Sequence, residues 1–482
     1  MPERDDRRRY LILAICCMSL LIVGLDNTIV NVALPSIRRD LNASVSGLQW
    51  TVAAYTLVLA SLLMLSGSTA DRIGRRRIFQ TGLLTFTAGS LLCSLAPSLG
   101  WLIAFRMLQA VGGSMLNPVA MSIITNTFTE RAERARAIGV WGGVIGISMA
   151  LGPVVGGALV ASVGWRGIFW VNVPIGLAAV VLTGLFVPES RAPRARRIDP
   201  VGQLLVIVIL GALTYGIIEG PGSGWTSAKI ICLFAASAVA LGALLVYEPR
   251  RDEPLIDLRF FSSVPFAGAT LTAVSAFAAL GGFLFLNTLY LQDARGLSAL
   301  QAGLYTLPMA GMTVIFGPLS GRIVASRGAR LPLVVAGLAI AVACSALTGV
   351  TNTTTATWLF LAYVIFGLGF GLVNAPITNA AVSGMPVAQA GVAAGLASAS
   401  RQLGQSLGVA VVGSVVTSGM RGSLRTGFAA ASHVGWWMLA GCGAVVFLLG
   451  FITTSPWALA TAARTAARLA PGEARAPVPT PP

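Results

Sequence analysis

The chain has 482 residues, 55% of them hydrophobic and only 10% charged, with a formal net charge of +16. Soluble domains carry roughly a quarter charged residues, so a soluble fold could not solvate this surface. The apolar stretches are about twenty residues long and lack the alternation of barrel strands, which points to membrane-spanning helices. The positive charge sits in short loops between apolar runs, where it sets orientation, and not on a solvent face of the kind that binds nucleic acid.

In chain order the apolar runs predict fourteen spans, near 10–34, 47–67, 78–96, 99–124, 136–161, 166–187, 200–219, 228–247, 264–290, 300–325, 331–350, 356–379, 391–418 and 434–455. The first follows an arginine run, as a signal peptide would, but it is too long for a signal core and has no small-residue cleavage site after it. The segment 188–200 is charged and bounded by Pro188 and Pro200, a cytoplasmic connection. Gly220 to Gly224 reads as an outer turn, and the tail 456–482, ending in prolines, as disordered.

Counting charges tests the orientation. With the N-terminus in the cytoplasm, 24 basic residues fall inside and 7 outside, while Arg106 and Arg401 lie within spans. That split obeys the positive-inside rule, and moving the span count by one would scramble it. Trp50, Trp101, Trp165, Trp225, Trp358, Trp436 and Trp437 all fall at predicted outer ends, as an aromatic belt does. Both termini are therefore expected in the cytoplasm. The scarcity of lysine beside many arginines fits the coding bias of a GC-rich bacterium, hence a bacterial cytoplasmic membrane.

The two ends of the chain echo one another. Gly67 to Arg72 recurs as Gly317 to Arg322, an offset of 250; Gly112 and Asn117 recur as Gly369 and Asn374, an offset of 257. Gly139, Gly152 and Gly157 recur as Gly395, Gly408 and Gly413, an offset of 256. The nearly constant offset implies six spans, two inserted spans and six more, with a substrate site between the halves. The expected units are 1–187, a linker with two inserted helices at 188–263, 264–455, and the tail.

A P-loop needs a lysine between glycine and Ser/Thr, and the only lysine, Lys229, lies between Ala228 and Ile230. The only histidine, His433, falls in an outer loop, so a histidine triad or a HExxH metal site inside the membrane is excluded. All six cysteines lie in apolar runs, which indicates neither disulfides nor a metal site. No enzyme chemistry, metal or cofactor is expected, and transport would draw on an ion gradient.

Inside a membrane an ionisable residue is a functional candidate by default. Asp26, Arg106 and Arg401 qualify, with Glu219 at an outer edge. Asp26 and Arg106 sit at similar depth, roughly 10–12 Å below the outer interface by helical rise, so they can face one another. Desolvation and a neighbouring arginine pull oppositely on the Asp26 proton, which suits a carboxyl that exchanges protons; a fixed structural pair is the alternative. Arg401, beside Gln402 and Gln405, is open to substrate contact or helix packing. Asn27, Asn31, Gln109, Asn117, Asn374 and Asn379 are further candidates for a cavity wall, or for bridges between helices. Gly152, Pro153, Gly156 and Gly157 interrupt span five, as a hinge or as close packing. In the loop from Gly67 to Arg77, Asp71 can accept from a helix N-terminus or pair with an arginine.

Several of these segments resemble one family. Leu25 to Pro35 is similar to the first-span signature of the fourteen-span drug–proton antiporters of the major facilitator superfamily, and Gly67 to Arg76 resembles that superfamily's loop motif. Arg106 within Leu102 to Ser114, Gly152 to Gly157, Trp165 to Gly176 and Arg401 to Gly408 also look like this branch. Thr69, Ala110 and Ser148 depart from its usual residues. The resemblance implies a major facilitator fold, all α, with two six-helix bundles rocking about a central cavity. It implies proton coupling through Asp26 and Arg106, and a conformational latch at Gly67, Asp71, Arg72, Gly74 and Arg75. It further implies an antiporter motif at Gly152 to Gly157, export of a lipophilic small molecule against protons, and a monomer in the lipid bilayer. Export of an endogenous lipid or metabolite on the same scaffold is the competing expectation. Two arginines against one deep acid favour neutral, zwitterionic or singly charged lipophiles over dications.

Overall fold

The computed structural model describes residues 2–192, 198–383, 385–420 and 424–469. Arg421, residues 193–197 of the predicted basic linker and the tail beyond 469 lie outside the described residues. Among the described residues there is no strand. The helices are α1 (Pro2–Leu41), α2 (Val45–Ile73), α3 (Arg75–Ser94), α4 (Leu99–Thr127), α5 (Arg131–Val163), α6 (Gly167–Trp170) and α7 (Asn172–Phe186), then α8 (Pro200–Ser223) and α9 (Ala228–Tyr247). They continue with α10 (Val264–Leu289), α11 (Ala299–Tyr305), α12 (Leu307–Arg327), α13 (Arg330–Ala346), α14 (Ala356–Val382), α15 (Val387–Gly419), α16 (Leu424–Ile452) and α17 (Pro456–Leu469).

Among the described residues, 11 helical stretches are long and apolar enough to cross a membrane. Three predicted spans fall outside that set for visible reasons. Helix α3 is diluted by arginine, glutamine, serine and threonine, α13 has only 17 residues, and α15 carries Arg401 among glutamines and serines.

Two predicted spans are each broken in two by proline. Pro174 has no N–H for the Trp170 carbonyl, and the helix restarts at Asn172. Pro308 does the same to Leu304, splitting α11 from α12 at Thr306. The expectation of a disordered tail fails over 456–469. Ala458, Ala462, Thr465 and Leu469 recur at helical spacing and are buried, and the Thr461 hydroxyl accepts from the Val264 N–H at 2.9 Å. Alanine and arginine read as low complexity in sequence, yet both are good helix formers once one face has something to cover.

Helices α1–α7 pack mainly on one another, as do α10–α16. Without a hydrophobic force between helices in lipid, such packing depends on close contact through small residues. Helix α10 lies against α15 at Gly404 and Gly408, where an added Cβ would sit 2.3 and 2.2 Å from the Val274 and Ala278 carbonyl oxygens. Helix α8 bonds to both groups: Gln203 Nε2 donates to the Ser61 carbonyl (2.6 Å), Trp50 Nε1 to Glu219 (2.8 Å), and Ser414 to the Ile217 carbonyl (2.5 Å).

The two groups meet along a seam at the end of the molecule away from the Arg72–Arg77 loop. Gln49 Nε2 on α2 donates to the carbonyls of Ala410 (2.7 Å) and Val409 (3.3 Å) on α15. A π-helical turn, Tyr290–Ala294, closes α10. From it Gln292 Nε2 donates to the Val32 carbonyl (2.8 Å) and Asp293 accepts from Arg38 (2.9 Å). On the other side, α5 lies on α11 so closely that a Cβ at Gly303 would be 2.3 Å from the Pro153 oxygen. A Cβ at Gly157 would be 2.6 Å from the Ala299 oxygen, and one at Gly413 would be 2.5 Å from Gln49. Gly157 and Gly413 are a repeat pair, and their partners Ala299 and Gln49 are 250 residues apart. The seam therefore follows the internal repeat.

Toward the basic end the surfaces separate. Gly139, Gly143 and Gly146 on α5, Gly317 and Gly321 on α12, and Gly391 and Gly395 on α15 have open space where a side chain would stand. A cleft thus opens at the basic end and is roofed by the seam.

Candidate functional site

Asp26 and Arg106 meet in the core of the first helix group. Arg106 Nη1 donates to Asp26 Oδ2 and also, at 2.8 Å, to Gln109 Oε1. Gln109 Nε2 returns a bond to Asp26 Oδ1 at 2.9 Å, and Asn172 Nδ2 adds another at 3.2 Å. Arg106 Nε reaches the Thr51 carbonyl at 3.3 Å, and its guanidinium lies 4.1 Å from the Tyr55 ring centre. Asp26 is 0% and Arg106 1% exposed, so the pair is sealed from solvent. Pairing and hydrogen bonding on this scale offset a desolvation that would expel either charge alone.

Local structure explains who joins the pair. Gln109 lies three residues after Arg106, on the same helical face. It was a cavity candidate, but with 0% exposure and bonds to both ions it belongs to their shell. Asn172, which sequence reading did not select, arrives because the Pro174 break starts α7 there; its amide also touches Ser90 Oγ (3.1 Å). Thr51 and Tyr55, one turn apart on α2, were likewise missed. Their contacts use a backbone carbonyl and a ring face, which residue type does not advertise.

The other cavity candidates scatter. Asn27 is half-buried, Asn31 is buried and donates to the Asn27 carbonyl at 3.1 Å, and each has a side-chain oxygen without a partner. Asn117 also keeps an unpartnered Oδ1. Asn374 and Arg401 are half-buried, and Arg401 Nη2 donates to the Thr378 hydroxyl at 2.6 Å. Gln405 is buried against Gly281 of α10 and lines no open space. Glu219 is held by Trp50, away from Asp26.

On α5 the glycines serve contact. A Cβ at Gly152 would lie 1.8 Å from Thr28 Oγ1, and one at Gly156 2.7 Å from Ile29 Cγ1, while Pro153 and Gly157 face α11. Helix α5 is thus wedged between α1 and α11. The unusual Ser148 is accommodated because Gly24 stands opposite; a Cβ there would be 2.1 Å from its Oγ.

In the last turn of α2, Asp71 accepts from Arg75 Nε (3.0 Å) and Nη2 (2.8 Å), four residues on. Gly74 takes φ +136°, which a side chain would strain, and an added Cβ would press within 2.7 Å of the Glu189 carboxylate. Glu189 accepts from the Arg76 N–H (3.1 Å) at the N-terminus of α3 and pairs with Arg77 at 3.7 Å. Backbone bonds Arg75 N to Ser190 O (2.9 Å) and Ala192 N to Asp71 O (3.0 Å) complete the clasp. Arg72 is exposed, and Gly67 makes only an ordinary contact with Pro118. Sequence reading missed Glu189, although it is the one acid in 188–192 opposite four arginines. Glu189→Gln is expected to weaken this clasp by about 1 kcal/mol, given its partial exposure. Tryptic cleavage at Arg75 to Arg77 should then run about fivefold faster in the purified protein.

The sequence pattern of the Major Facilitator Superfamily matches residues 16–409. The chain belongs to that superfamily. It is a multi-pass membrane transporter and not an enzyme. Over 425 residues it is 39% identical to the multidrug resistance protein Stp of Mycobacterium tuberculosis, covering 87% of this chain and 78% of that protein. It is 37% identical over 403 residues to the tetracenomycin C resistance and export protein of Streptomyces glaucescens, covering 83% and 74%. The multidrug efflux pump LfrA of Mycolicibacterium smegmatis is 34% identical over 423 residues, covering 87% and 83%. A solved bacterial homologue of the human lysosomal transporter Spinster, inward-facing and unoccupied, superposes with a TM-score of 0.67 at 18% identity, covering 95% of this chain and 98% of that one. That likeness shows the fold. Within the superfamily, then, this chain's relatives are drug and antibiotic resistance transporters.

Proposed function

We propose that this superfamily member is a proton-coupled antiporter that exports drugs or antibiotics across the bacterial cytoplasmic membrane by alternating access. The sealed Asp26–Arg106 pair carries the reading. A carboxylate held at 0% exposure by an arginine and two amides cannot exchange its proton without movement of α1 against α4 and α7. Protonation and conformational change are thereby linked, as an antiporter requires. Adding α3, α13 and α15 to the eleven apolar stretches makes fourteen passes, and the excess of basic residues assigns the basic end and both termini to the cytoplasm. On that assignment the cleft opens inward, and a rocking of α1–α7 against α10–α16 would move it outward. Helices α8 and α9 stand beside this exchange. Asp71, Arg75 and Glu189 act as the latch that must loosen on the cytoplasmic side, and the protein works as a monomer.

Two measurements test this together. Overexpression in a pump-deficient bacterial host should lower susceptibility to several lipophilic drugs, whereas an exporter dedicated to an endogenous lipid or metabolite would leave the panel unchanged. In proteoliposomes an imposed pH gradient should drive uphill movement of a drug that protects cells, with substrate-dependent proton flux in return. Drug movement indifferent to the gradient would refute proton coupling while leaving export standing.

A further inference from the structure

The second cation in the membrane interior has no counter-charge. Between Asp293 and Glu473 the sequence contains no aspartate or glutamate, so Arg401 has no acid in the middle of its own helix group. Across the cleft, the one deep acid, Asp26, is already held by Arg106. Among the described residues Arg401 forms no ion pair; one Nη2 bond goes to Thr378, and its Nε–H is buried with no acceptor. Arg401 lies 14 residues from Val387 and 18 from Gly419, near the middle of α15 and of the bilayer. The lowest seam bond, from Ser406 to the Ala53 carbonyl, is five residues above it, so Arg401 sits about 8 Å below the roof of the cleft.

Its surroundings are those of a binding site. Thr378 and Asn379 are exposed polar residues on α14, Asn374 is one turn away, and Gln402 keeps an unpartnered Oε1. The Phe277 ring lies 6.0 Å from the guanidinium. An unneutralised guanidinium at the midplane is costly unless water or a ligand anion reaches it, and its fork fits a carboxylate or phenolate oxygen. We propose that Arg401 recognises an acidic group, so that the preferred substrates are amphiphilic anions: carboxylates or acidic phenols on an aromatic or lipophilic body. This rests on the export reading above and narrows its range of singly charged and neutral lipophiles to one sign.

The test reads binding and transport separately. Purified protein in nanodiscs is titrated at neutral pH with dansylaminoundecanoate and with its primary amide, which has the same shape but no charge. The wild-type protein should bind the carboxylate at least about tenfold more tightly than the amide, the difference a charge-assisted pair supplies. Arg401→Gln should erase that margin while leaving the amide within about twofold, and Arg401→Lys should keep part of it. Equal affinity for the two probes in the wild-type protein, which needs no variant, overturns the proposal. So does an equal loss of both in Arg401→Gln. If the preference holds but no compound moves in proteoliposomes, the export reading falls and the anion site remains.

Discussion

Asp26→Asn is expected to abolish pH-driven export while substrate exchange across the membrane continues. Asparagine matches the shape of the carboxyl and can still take hydrogen bonds from Gln109 and Asn172, but it cannot carry a proton in or out. It also strips Arg106 of its counter-charge inside a site with 1% exposure, which costs about 3–5 kcal/mol. The single variant should therefore reach the membrane in lower yield and melt earlier. The double variant Asp26→Asn with Arg106→Gln removes both charges and should regain most of the stability, since replacing a whole buried pair is close to neutral. It should remain uncoupled. Proteoliposomes with an imposed pH gradient, compared with counterflow at equal pH, distinguish these outcomes. Gradient-driven accumulation by the stable double variant would remove Asp26 from the mechanism.

The second large effect lies at the seam. Gly303→Leu places a branched side chain where even a Cβ would be 2.3 Å from the Pro153 carbonyl oxygen and 3.3 Å from Val154 Cα. Backbone atoms on a wedged helix cannot yield as a flexible side chain does. Overpacking of this kind costs about 1–3 kcal/mol, and here that penalty falls only on the state in which α5 touches α11. The sealed arrangement should lose about tenfold or more in population. Spin labels at Asn42 and Thr353, in a background with the exposed Cys232 changed to serine, would report the widening as a longer distance by pulsed electron resonance. Export should fall at least as far as the sealed population. An unchanged distance distribution with full export would mean that the seam flexes more freely than its geometry implies.

How much of this was legible beforehand depends on the kind of contact. The all-helical membrane architecture, with eleven of the fourteen expected spans recurring as long apolar helices, and the pairing of Asp26 with Arg106 follow from apolar length and depth, because hydropathy and helical rise are properties of single segments. Even Gln109 could have been read with the pair, since three residues from Arg106 is the same helical face. Asn172 could not: its position depends on a proline break two residues later and on how α7 then crosses α1. Glu189 was hidden for a similar reason, as its partners are 113 residues away across a loop whose path no periodicity fixes. The glycines of span five were weighed as hinge or packing. Their contacts with Thr28, Ile29 and Ala299 display packing, and a hinge role would have to be read from motion. The helix at 456–469 was lost to composition, although Ala458, Ala462, Thr465 and Leu469 already carried its spacing.

The placement of α8 has a consequence for how cargo arrives. Two flanks separate the helix groups, one between α2 and α15 and one between α5 and α12. Helix α8 backs the first, bonded along α2 from Ser61 to Trp50 and to α15 at Ser414. At the second flank α12 lies directly on α5, and among the described residues no further helix bonds across the two there as α8 does at the first. If cargo enters from the lipid leaflet, as the export reading allows, α8 obstructs one flank and leaves the α5–α12 side as the route. The capture rate of such cargo should then follow its partitioning into that leaflet on one side of the transporter, and bulk added to the α5–α12 flank should slow greasy cargo far more than water-borne cargo.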